Sequence, residues 1–199
     1  MVVYDRVSAR RGVPRHRSIV VIDIAGSSRW DNPAQLRARR TLELLVRNAF
    51  RRAGIPWWRL AVEGTGDGMI ILVPPGVSKV DILDPVVPAL AAGLREYNGV
   101  TAPRLRMRLR MSVHAGEVLR TDKGWVSRDV TTACRMVDGE PLYLELERSP
   151  EADLVVCVSE QIHESVVRHG YRGIDPGAYT RVHIVLKEAD LQARLFVAR

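Results

Sequence analysis

The sequence predicts an α+β fold: a ferredoxin-like split βαβ core sheet of element order βαββαβ with helices on one face, followed by a C-terminal αβαββ extension. Three observations predict it. Short apolar runs typical of strands alternate with segments whose apolar residues recur at helical spacing. Residues typical of helix starts and stops separate these segments. No repeat or low-complexity linker interrupts residues 18–199, which we interpret as one domain that follows a basic tail at residues 1–17.

The predicted core unit begins with a strand and a helix and continues through a hairpin, a second helix and a fourth strand. Each boundary carries Gly, Pro, Asn or Asp, the residues that end regular structure. The segments are a buried strand Ser18–Ile24, a helix that begins at Asp31-Asn32-Pro33 and ends at Gly54, strands Trp58–Val62 and Met69–Val73 joined by the tight hairpin Glu63–Gly68, a helix capped by Asp84-Pro85 and ended by Asn98-Gly99, and a strand Arg104–Val113.

The predicted extension begins near Arg128 with a helix. It continues through a strand Leu154–Val158, a helix from Ser159 to Gly170, and a closing hairpin of Arg181–Leu186 with Arg194–Val197.

Arginines alternate with apolar residues along the fourth core strand. In a strand, alternate side chains point to opposite faces of the sheet. The pattern therefore predicts one buried face and one face that is solvated or lines a partner interface. The residues of that second face are Arg104, Arg106, Arg108 and Arg110.

Composition limits the classes of function. The chain has 199 residues, two cysteines and no apolar run near the roughly 20 residues that a membrane span needs, so we expect a cytoplasmic protein without a disulfide framework and without membrane contact. The net charge of +7 is compatible with nucleic-acid binding, but five arginines fall in the tail, which argues against that role for the domain. A basic site would equally suit a triphosphate.

Two acidic residues stand where the predicted sheet would bring them together. Asp23 lies between two isoleucines of a buried strand, and burial of a carboxylate is costly unless the group is paired or binds a metal. Asp67 lies in the glycine-rich hairpin. Asp23 could instead cap its turn through Ser27 or Ser28, and Asp67 could serve the turn alone. On adjacent central strands, however, the two carboxylates would repel, which favours a bound divalent cation such as Mg²⁺.

Four segments resemble motifs of the class III adenylyl/guanylyl cyclase catalytic domain. Their order and spacing also match that family, and the likeness spans about residues 18–197. The segments are Val20-Val21-Ile22-Asp23-Ile24-Ala25-Gly26, Glu63-Gly64-Thr65-Gly66-Asp67-Gly68, Ser112-Val113-His114-Ala115-Gly116-Glu117-Val118 and Val130-Thr131-Thr132-Ala133-Cys134-Arg135-Met136.

The resemblance implies a chemistry and an assembly. Asp23 and Asp67 would hold two Mg²⁺ or Mn²⁺ ions with help from the Ile24 carbonyl, and a nucleoside triphosphate would be the substrate. Arg135 would stabilise charge on the transferring phosphate, and Lys187 would grip the β- and γ-phosphates. In this family the metal acids and the helix arginine of one site come from different domains, so a single domain implies a head-to-tail homodimer.

Three positions depart from the family pattern. Glu63 stands at the base-selecting position, where a carboxylate accepts hydrogen bonds from guanine but not from adenine N1. The partner position aligns with Gly124, which offers no side chain, beside Trp125. Thr131 replaces the asparagine that positions the ribose. Guanine, pyrimidine and adenine bases therefore stay open.

The resulting hypothesis is a nucleotidyl cyclase of a stand-alone, bacterial type that forms a 3′,5′-cyclic nucleotide and pyrophosphate. The retained Asp23, Asp67, Arg135 and Lys187 support it. The alternative is a catalytically degenerate cyclase-homology domain that binds nucleotide as a sensor or regulatory partner, and Thr131 and Gly124 are the residues that motivate it. A basic nucleic-acid-binding module is a third and more distant alternative, because polymerase palms share the split βαβ core with paired acids; the weakly basic domain argues against it.

Overall fold

A sheet of eight strands organises the chain in the computed structural model, which describes residues 12–122, 124–186 and 189–198. The strand order is β2-β3-β1-β4-β6-β8-β7, and β5 pairs with β4 beside this path. The pairing is antiparallel except between β4 and β6. The strands are β1 (Arg15–Ile24), β2 (Ala61–Gly64), β3 (Gly68–Val73), β4 (Leu109–Thr121), β5 (Gly124–Val126), β6 (Leu154–Ser159), β7 (Thr180–Leu186) and β8 (Ala189–Ala198).

Helices connect these strands in the predicted order. In the described part of the chain they are α1 (Asn32–Arg52), α2 (Lys79–Asp81), α3 (Val87–Gly99), α4 (Arg128–Val137), α5 (Glu140–Arg148) and α6 (Glu160–Ser165), and a further turn, Ile82–Val86, joins α2 to α3. The succession β1-α1-β2-β3-α3-β4 confirms the predicted βαββαβ core. The extension contains the predicted elements α4, β6, α6, β7 and β8, with β5 and α5 in addition.

Alternate residues of β1 face two different hydrophobic cores. Val20 and Ile22 pack into a core shared with α1 and α3, so the helices of the core unit lie on one face, as predicted. Ile19 and Val21 pack into a second core with buried residues of α4 and α5, which cover the opposite face. The apolar run therefore reflects burial on both sides of the central strand, which is why it shows no alternation.

Local chemistry explains the first helix. Asp31 is the N-cap of α1, and its carboxylate accepts a hydrogen bond from the Ala34 N–H at 2.8 Å. Pro33 lies in the first turn, where a missing N–H costs nothing. The sequence predicted both features. The next helical segment was predicted less well, since Ser78, and not Asp84, caps its beginning at α2.

The prediction of a strand from Arg104 to Val113 is wrong in its first half. Pro103–Leu105 forms a 3₁₀ turn, and β4 begins only at Leu109. The buried Asn98 side chain explains this, because it accepts the Met107 N–H at 2.8 Å and donates to the Met107 carbonyl at 2.8 Å. These two backbone groups are thereby unavailable for strand pairing.

Several further elements differ from the prediction. β1 begins at Arg15, so three residues that the sequence analysis placed in the tail pair with β4. Trp57–Arg59 forms a 3₁₀ turn before β2. Helix α5 was not predicted, although Pro141 in its first turn and the buried Leu142 and Leu146 at helical spacing are signals that indicate it. No helix in the described ranges is both long and apolar enough to cross a membrane.

Candidate active site

The sheet brings the two predicted acids together. Asp23 is the next-to-last residue of β1 and pairs with Gly68, the residue that follows Asp67 in the chain. The backbone N–H of Ile24 also donates to the Asp67 carbonyl at 3.3 Å. Burial raises the pKa of the Asp23 carboxyl, and the charge on Asp67 raises it further, as expected for neighbouring acids. The end of β1 and the β2–β3 turn thus form one acidic site.

A glycine makes this approach of the strands feasible. A Cβ atom added to Gly68 would lie 2.3 Å from the carbonyl oxygen of Ile22, well inside contact distance. β3 can therefore lie this close to β1 only because position 68 has no side chain. On the other side of the turn, the buried Ser27 hydroxyl donates to the Asp67 carboxylate. Ser27 therefore orients Asp67, whereas the sequence analysis considered it as a partner of Asp23.

Arg110 is a member of the site that the sequence analysis placed wrongly. It is only 4% exposed, pairs with Asp23 across β1 and β4, and forms an ion pair with its carboxylate. Its guanidinium carbon lies 3.6 Å from the ring centre of Tyr143 on α5. Among the described residues, its Nε and Nη1 atoms are buried without a hydrogen-bond partner. The predicted solvated or interface-lining face is therefore wrong at this position.

The same correction applies to part of the remaining arginine face. Arg104 and Arg106 are exposed, as predicted, but they precede β4. Arg108 is half-buried and donates to three backbone carbonyls, those of Ala152 at 2.8 Å, Leu146 at 2.7 Å and Ser149 at 2.6 Å. It closes the C-terminal end of α5 and does not line an open surface.

Burial and charge act in opposite directions on the Asp23–Arg110 pair. Burial is the largest influence on Asp23 and raises the pKa of its carboxyl; Arg110 opposes this, and Asp67 and Asp138 add to it. Burial lowers the pKa of Arg110, but Asp23 and Tyr143 outweigh burial and raise it. Burial, with Asp67, also raises the pKa of Asp138, against the opposing charge of Arg110. One buried cation therefore stands among three carboxylates.

The two base-selecting positions meet within one protomer. A Cβ atom on Gly124 would lie 4.0 Å from Glu63 Oε2, so the carboxylate on β2 reaches the start of β5. Gly124 has a φ of +130°, a conformation that other residues rarely adopt. Trp125 is half-buried against the second core, and the Arg120 guanidinium lies 5.5 Å from its ring centre. Glu63 is thus the polar side chain that this pair of positions supplies.

Helix α4 carries the predicted catalytic positions on one face. Thr131 is exposed and Arg135 is half-buried, and residues four apart lie above one another on a helix. The Thr131 hydroxyl donates to the Ser127 carbonyl at 3.2 Å, within its own helix. Lys187 lies outside the described residues.

The donor set of the acidic site fits a divalent cation. Two carboxylates, one near the end of β1 and one in the β2–β3 turn, with the backbone of Ile24 between them, are the oxygen ligands that Mg²⁺ and Mn²⁺ accept. Arg110 neutralises part of this charge in the structure. A second group of ligand-type side chains, Glu160, His163 and Glu164, lies on α6, where Arg194 already pairs with Glu160.

Solved structures of nucleotide cyclases share this fold. An adenylate/guanylate cyclase/hydrolase from Silicibacter pomeroyi matches with a TM-score of 0.65 at 18% identity, over 92% of this chain and 97% of that chain. The guanylyl cyclase Cya2 matches with a TM-score of 0.62 at 16% identity, over 94% of this chain and 93% of that chain. The guanylate cyclase domain of RhGC from Catenaria anguillulae, in complex with GTP, matches with a TM-score of 0.58 at 17% identity, over 93% and 97%.

These matches show that the chain has the fold of adenylate and guanylate cyclase catalytic domains, which confirms the predicted resemblance at the level of fold. No protein-family model and no curated protein sequence matches the chain.

Proposed function

We propose that the chain is a nucleotidyl cyclase that converts a nucleoside triphosphate into a 3′,5′-cyclic nucleotide and pyrophosphate. In this reaction the ribose 3′-oxygen forms a bond to the α-phosphorus and loses its proton, and the bond from that phosphorus to the bridging oxygen of pyrophosphate breaks. The observation that carries the proposal is the convergence of Asp23 and Asp67 beside the buried Arg110, on the fold of cyclase domains.

Each side chain of the acidic site has a distinct task in this proposal. Asp23 and Asp67, with the Ile24 carbonyl, would hold two Mg²⁺ or Mn²⁺ ions, which when bound acidify the 3′-hydroxyl and neutralise phosphate charge. Arg110 offers a buried guanidinium whose Nε and Nη1 donors have no hydrogen-bond partner among the described residues, and a phosphate oxygen that reached them would satisfy them. Ser27 donates to the Asp67 carboxylate and would keep it oriented toward the ions.

The helix face of α4 supplies the rest of the site from a second copy of the chain. Arg135 would donate to the transferring phosphate, and Thr131 would contact the ribose. Both residues are accessible on α4 of their own protomer, which suits delivery to a neighbour in a head-to-tail homodimer with two equivalent sites. Lys187 would contact the β- and γ-phosphates, as the family resemblance implies.

The base pocket in this proposal contains Glu63, Gly124 and Trp125. The Glu63 carboxylate accepts hydrogen bonds, so it favours the N1–H and 2-amino groups of guanine over adenine N1. Gly124 adds no side-chain hydrogen bond, and Trp125 offers a ring for stacking. A comparison of ATP, GTP, CTP and UTP as substrates decides between the bases, and Glu63→Gln should reduce the preference for guanine.

The test of the proposed function is product formation from each of the four triphosphates with Mn²⁺, followed by mass spectrometry. We expect one triphosphate to yield a cyclic monophosphate, and Asp67→Ala to abolish it. Glu96→Gln, which alters an exposed acid on α3, is the matched control and should retain activity. A wild-type chain that cyclises none of the four triphosphates refutes the proposal.

Mixing two inactive variants tests the shared site. Asp67→Ala damages the metal half and Arg135→Ala the helix half, so a heterodimer of the two has one site with both lesions and one site with none. Random exchange of subunits should therefore restore about a quarter of the wild-type activity. No recovery after verified exchange would mean that both halves act within one protomer.

One observation favours the alternative of a degenerate domain that binds nucleotide without turnover. The Thr131 hydroxyl donates to the Ser127 carbonyl of its own helix. The threonine side chain is also shorter than that of the asparagine in the family pattern. Titration calorimetry with each triphosphate would then show binding, while product analysis shows none. Thr131→Asn would in that case create activity.

A further inference from the structure

Side-chain hydrogen bonds fasten the first turn of α4 to β4. Ser127 is the N-cap: its hydroxyl accepts from the N–H groups of Asp129 and Val130 at 3.1 and 3.2 Å and donates to the Glu117 carbonyl at 2.7 Å. The Asp129 carboxylate then reaches back to the strand and accepts the Glu117 N–H at 2.8 Å. The turn is therefore held by the strand at two points.

A socket in β4 receives the Asp129 carboxylate. A Cβ atom on Gly116 would lie only 2.0 Å from the Asp129 Cγ and Oδ2 atoms, so the carboxylate fills the place that any side chain at position 116 would occupy. The socket consists of Gly116, the Glu117 N–H, and His114, whose Nε2 lies 3.5 Å from Asp129 Oδ1.

His114 forms the buried wall of this socket. It is 8% exposed, and its Nδ1 has no partner among the described residues. Burial lowers the pKa of His114, and Asp129 opposes that effect; His16 on β1, which itself pairs with Glu117, lowers it further. The Asp129 carboxylate accepts the Glu117 N–H and lies at the N-terminus of α4, both of which favour an anion.

Helical geometry connects the socket to the predicted catalytic face. Asp129 lies four residues before the buried Ala133, so both face the sheet. Thr131 lies two residues after Asp129, about 200° around the helix from it, and therefore faces away from the sheet. Arg135, one turn after Thr131, faces the same way. A helix fixed at Asp129 cannot rotate about its axis without moving Thr131 and Arg135.

We propose that Asp129 is a positioning residue, which sits in the socket formed by His114, Gly116 and the Glu117 N–H and thereby sets the direction in which α4 presents Thr131 and Arg135. The effect of Asp129 on catalysis, which is the catalytic half of this inference, rests on the proposed function. The structural half, in which Asp129 in the socket fixes the orientation of α4, does not. It also gives the His-Ala-Gly-Glu segment a physical role: the glycine makes room for a carboxylate from the following helix.

The experiment compares Asp129→Ala, Asp129→Asn and a control, Glu140→Ala, which removes an exposed acid from the first turn of α5. In Asp129→Ala we expect faster hydrogen exchange of the Glu117 amide and a kcat roughly 10–100-fold lower at a nearly unchanged KM, since misdirected groups reduce chemistry more than binding. Asp129→Asn retains an acceptor and should restore part of both. Unchanged kcat and exchange in Asp129→Ala overturn the proposal.

A double-mutant cycle separates the socket from general damage to the fold. Gly116→Ala alone should resemble Asp129→Ala, because the new methyl group expels the carboxylate. In an Asp129→Gly background the Gly116→Ala change should cost much less in melting temperature and in kcat, since the carboxylate and the Asp129 Cβ, which lies 2.5 Å from the added methyl group, are then both absent. Additive effects would overturn the socket. A wild-type chain without cyclase activity would refute the proposed function, while the exchange data and the stability cycle would still decide the structural half.

Discussion

Removal of the Arg110 guanidinium gives the sharpest test of the acidic site. Arg110→Met keeps an apolar side chain at this buried position but removes the guanidinium that lies over Tyr143, and it leaves Asp23 beside Asp67 and Asp138 without its cation. Removing one partner of a buried ion pair costs about 3–5 kcal/mol, and the 15% exposure of the Asp23 side chain places this case near the lower end. At about 2–4 °C per kcal/mol for a chain of this size, the melting temperature should fall by roughly 6–12 °C.

Thermal unfolding followed by circular dichroism at about pH 7 measures this effect. Arg106→Met is the matched control, because Arg106 is exposed, and it should change the melting temperature little. In the double variant Asp23→Asn/Arg110→Met most of the loss should disappear, since neither charge is then left unpaired. An Arg110→Met protein that melts with the wild type would refute the ion pair as a stabilising element.

The dependence on pH and on metal sharpens the same prediction. The Asp23 pKa is already raised, and without Arg110 it should rise further. A carboxyl whose pKa is raised by folding binds its proton more tightly in the native state, so this group's contribution to stability is lost as pH rises through the folded-state pKa. The deficit of Arg110→Met should therefore shrink on acidification. Mn²⁺ should raise its melting temperature more than that of the wild type, because Asp23 no longer has a competing cation; an equal rise in both proteins would refute that competition.

Three further predictions concern other parts of the fold. Gly68→Ala should destabilise by about 1–3 kcal/mol and abolish cyclase activity, because it forces β3 from β1, whereas Gly64→Ala, which meets no atom within 4 Å, should behave as wild type in melting and product assays. Arg108→Met should lower the urea unfolding free energy by about 2–4 kcal/mol, because three carbonyl hydrogen bonds are lost, and an unchanged midpoint would contradict this. Since burial lowers the pKa of His114 below 6.5, wild-type stability should fall as pH drops through that value, and His114→Gln should flatten this fall in a urea series; parallel curves would exclude His114 as the cause.

Much of the core could be predicted because its signals are local. Each of three patterns indicates one element within a few residues: the buried run that ends at Ile24, the Asp31 cap and the glycine-rich turn at Asp67. Adjacency of the first and third strands then follows from the βαββαβ order, and with it the meeting of Asp23 and Asp67. What the sequence could not supply is the environment of Arg110, whose partner lies 87 positions away.

The predicted start of β4 was wrong for a related reason. Strict alternation from Arg104 onward is the ordinary signal of a half-buried strand, and periodicity alone cannot tell a solvated arginine from one that is buried and paired. The Asn98 side chain forms hydrogen bonds with the backbone N–H and carbonyl of Met107. Strand propensity does not predict such an interaction between a helix end and the segment that follows it. The local pattern was correct from Leu109 onward, where pairing with β1 and β6 takes over.

The wrong placement of Arg108 and Arg110 and the missed helix α5 have one structural cause. α5 lies over the arginine face that the alternation left open: its C-terminal carbonyls receive Arg108, and its Tyr143 ring covers Arg110. An arginine on an uncovered strand would extend into water, where an ion pair with Asp23 contributes little. Under α5 the same guanidinium is held against Asp23, and its Nε and Nη1 atoms have no hydrogen-bond partner among the described residues. The helix that sequence patterns missed is therefore the element that turns a surface arginine into part of the acidic site.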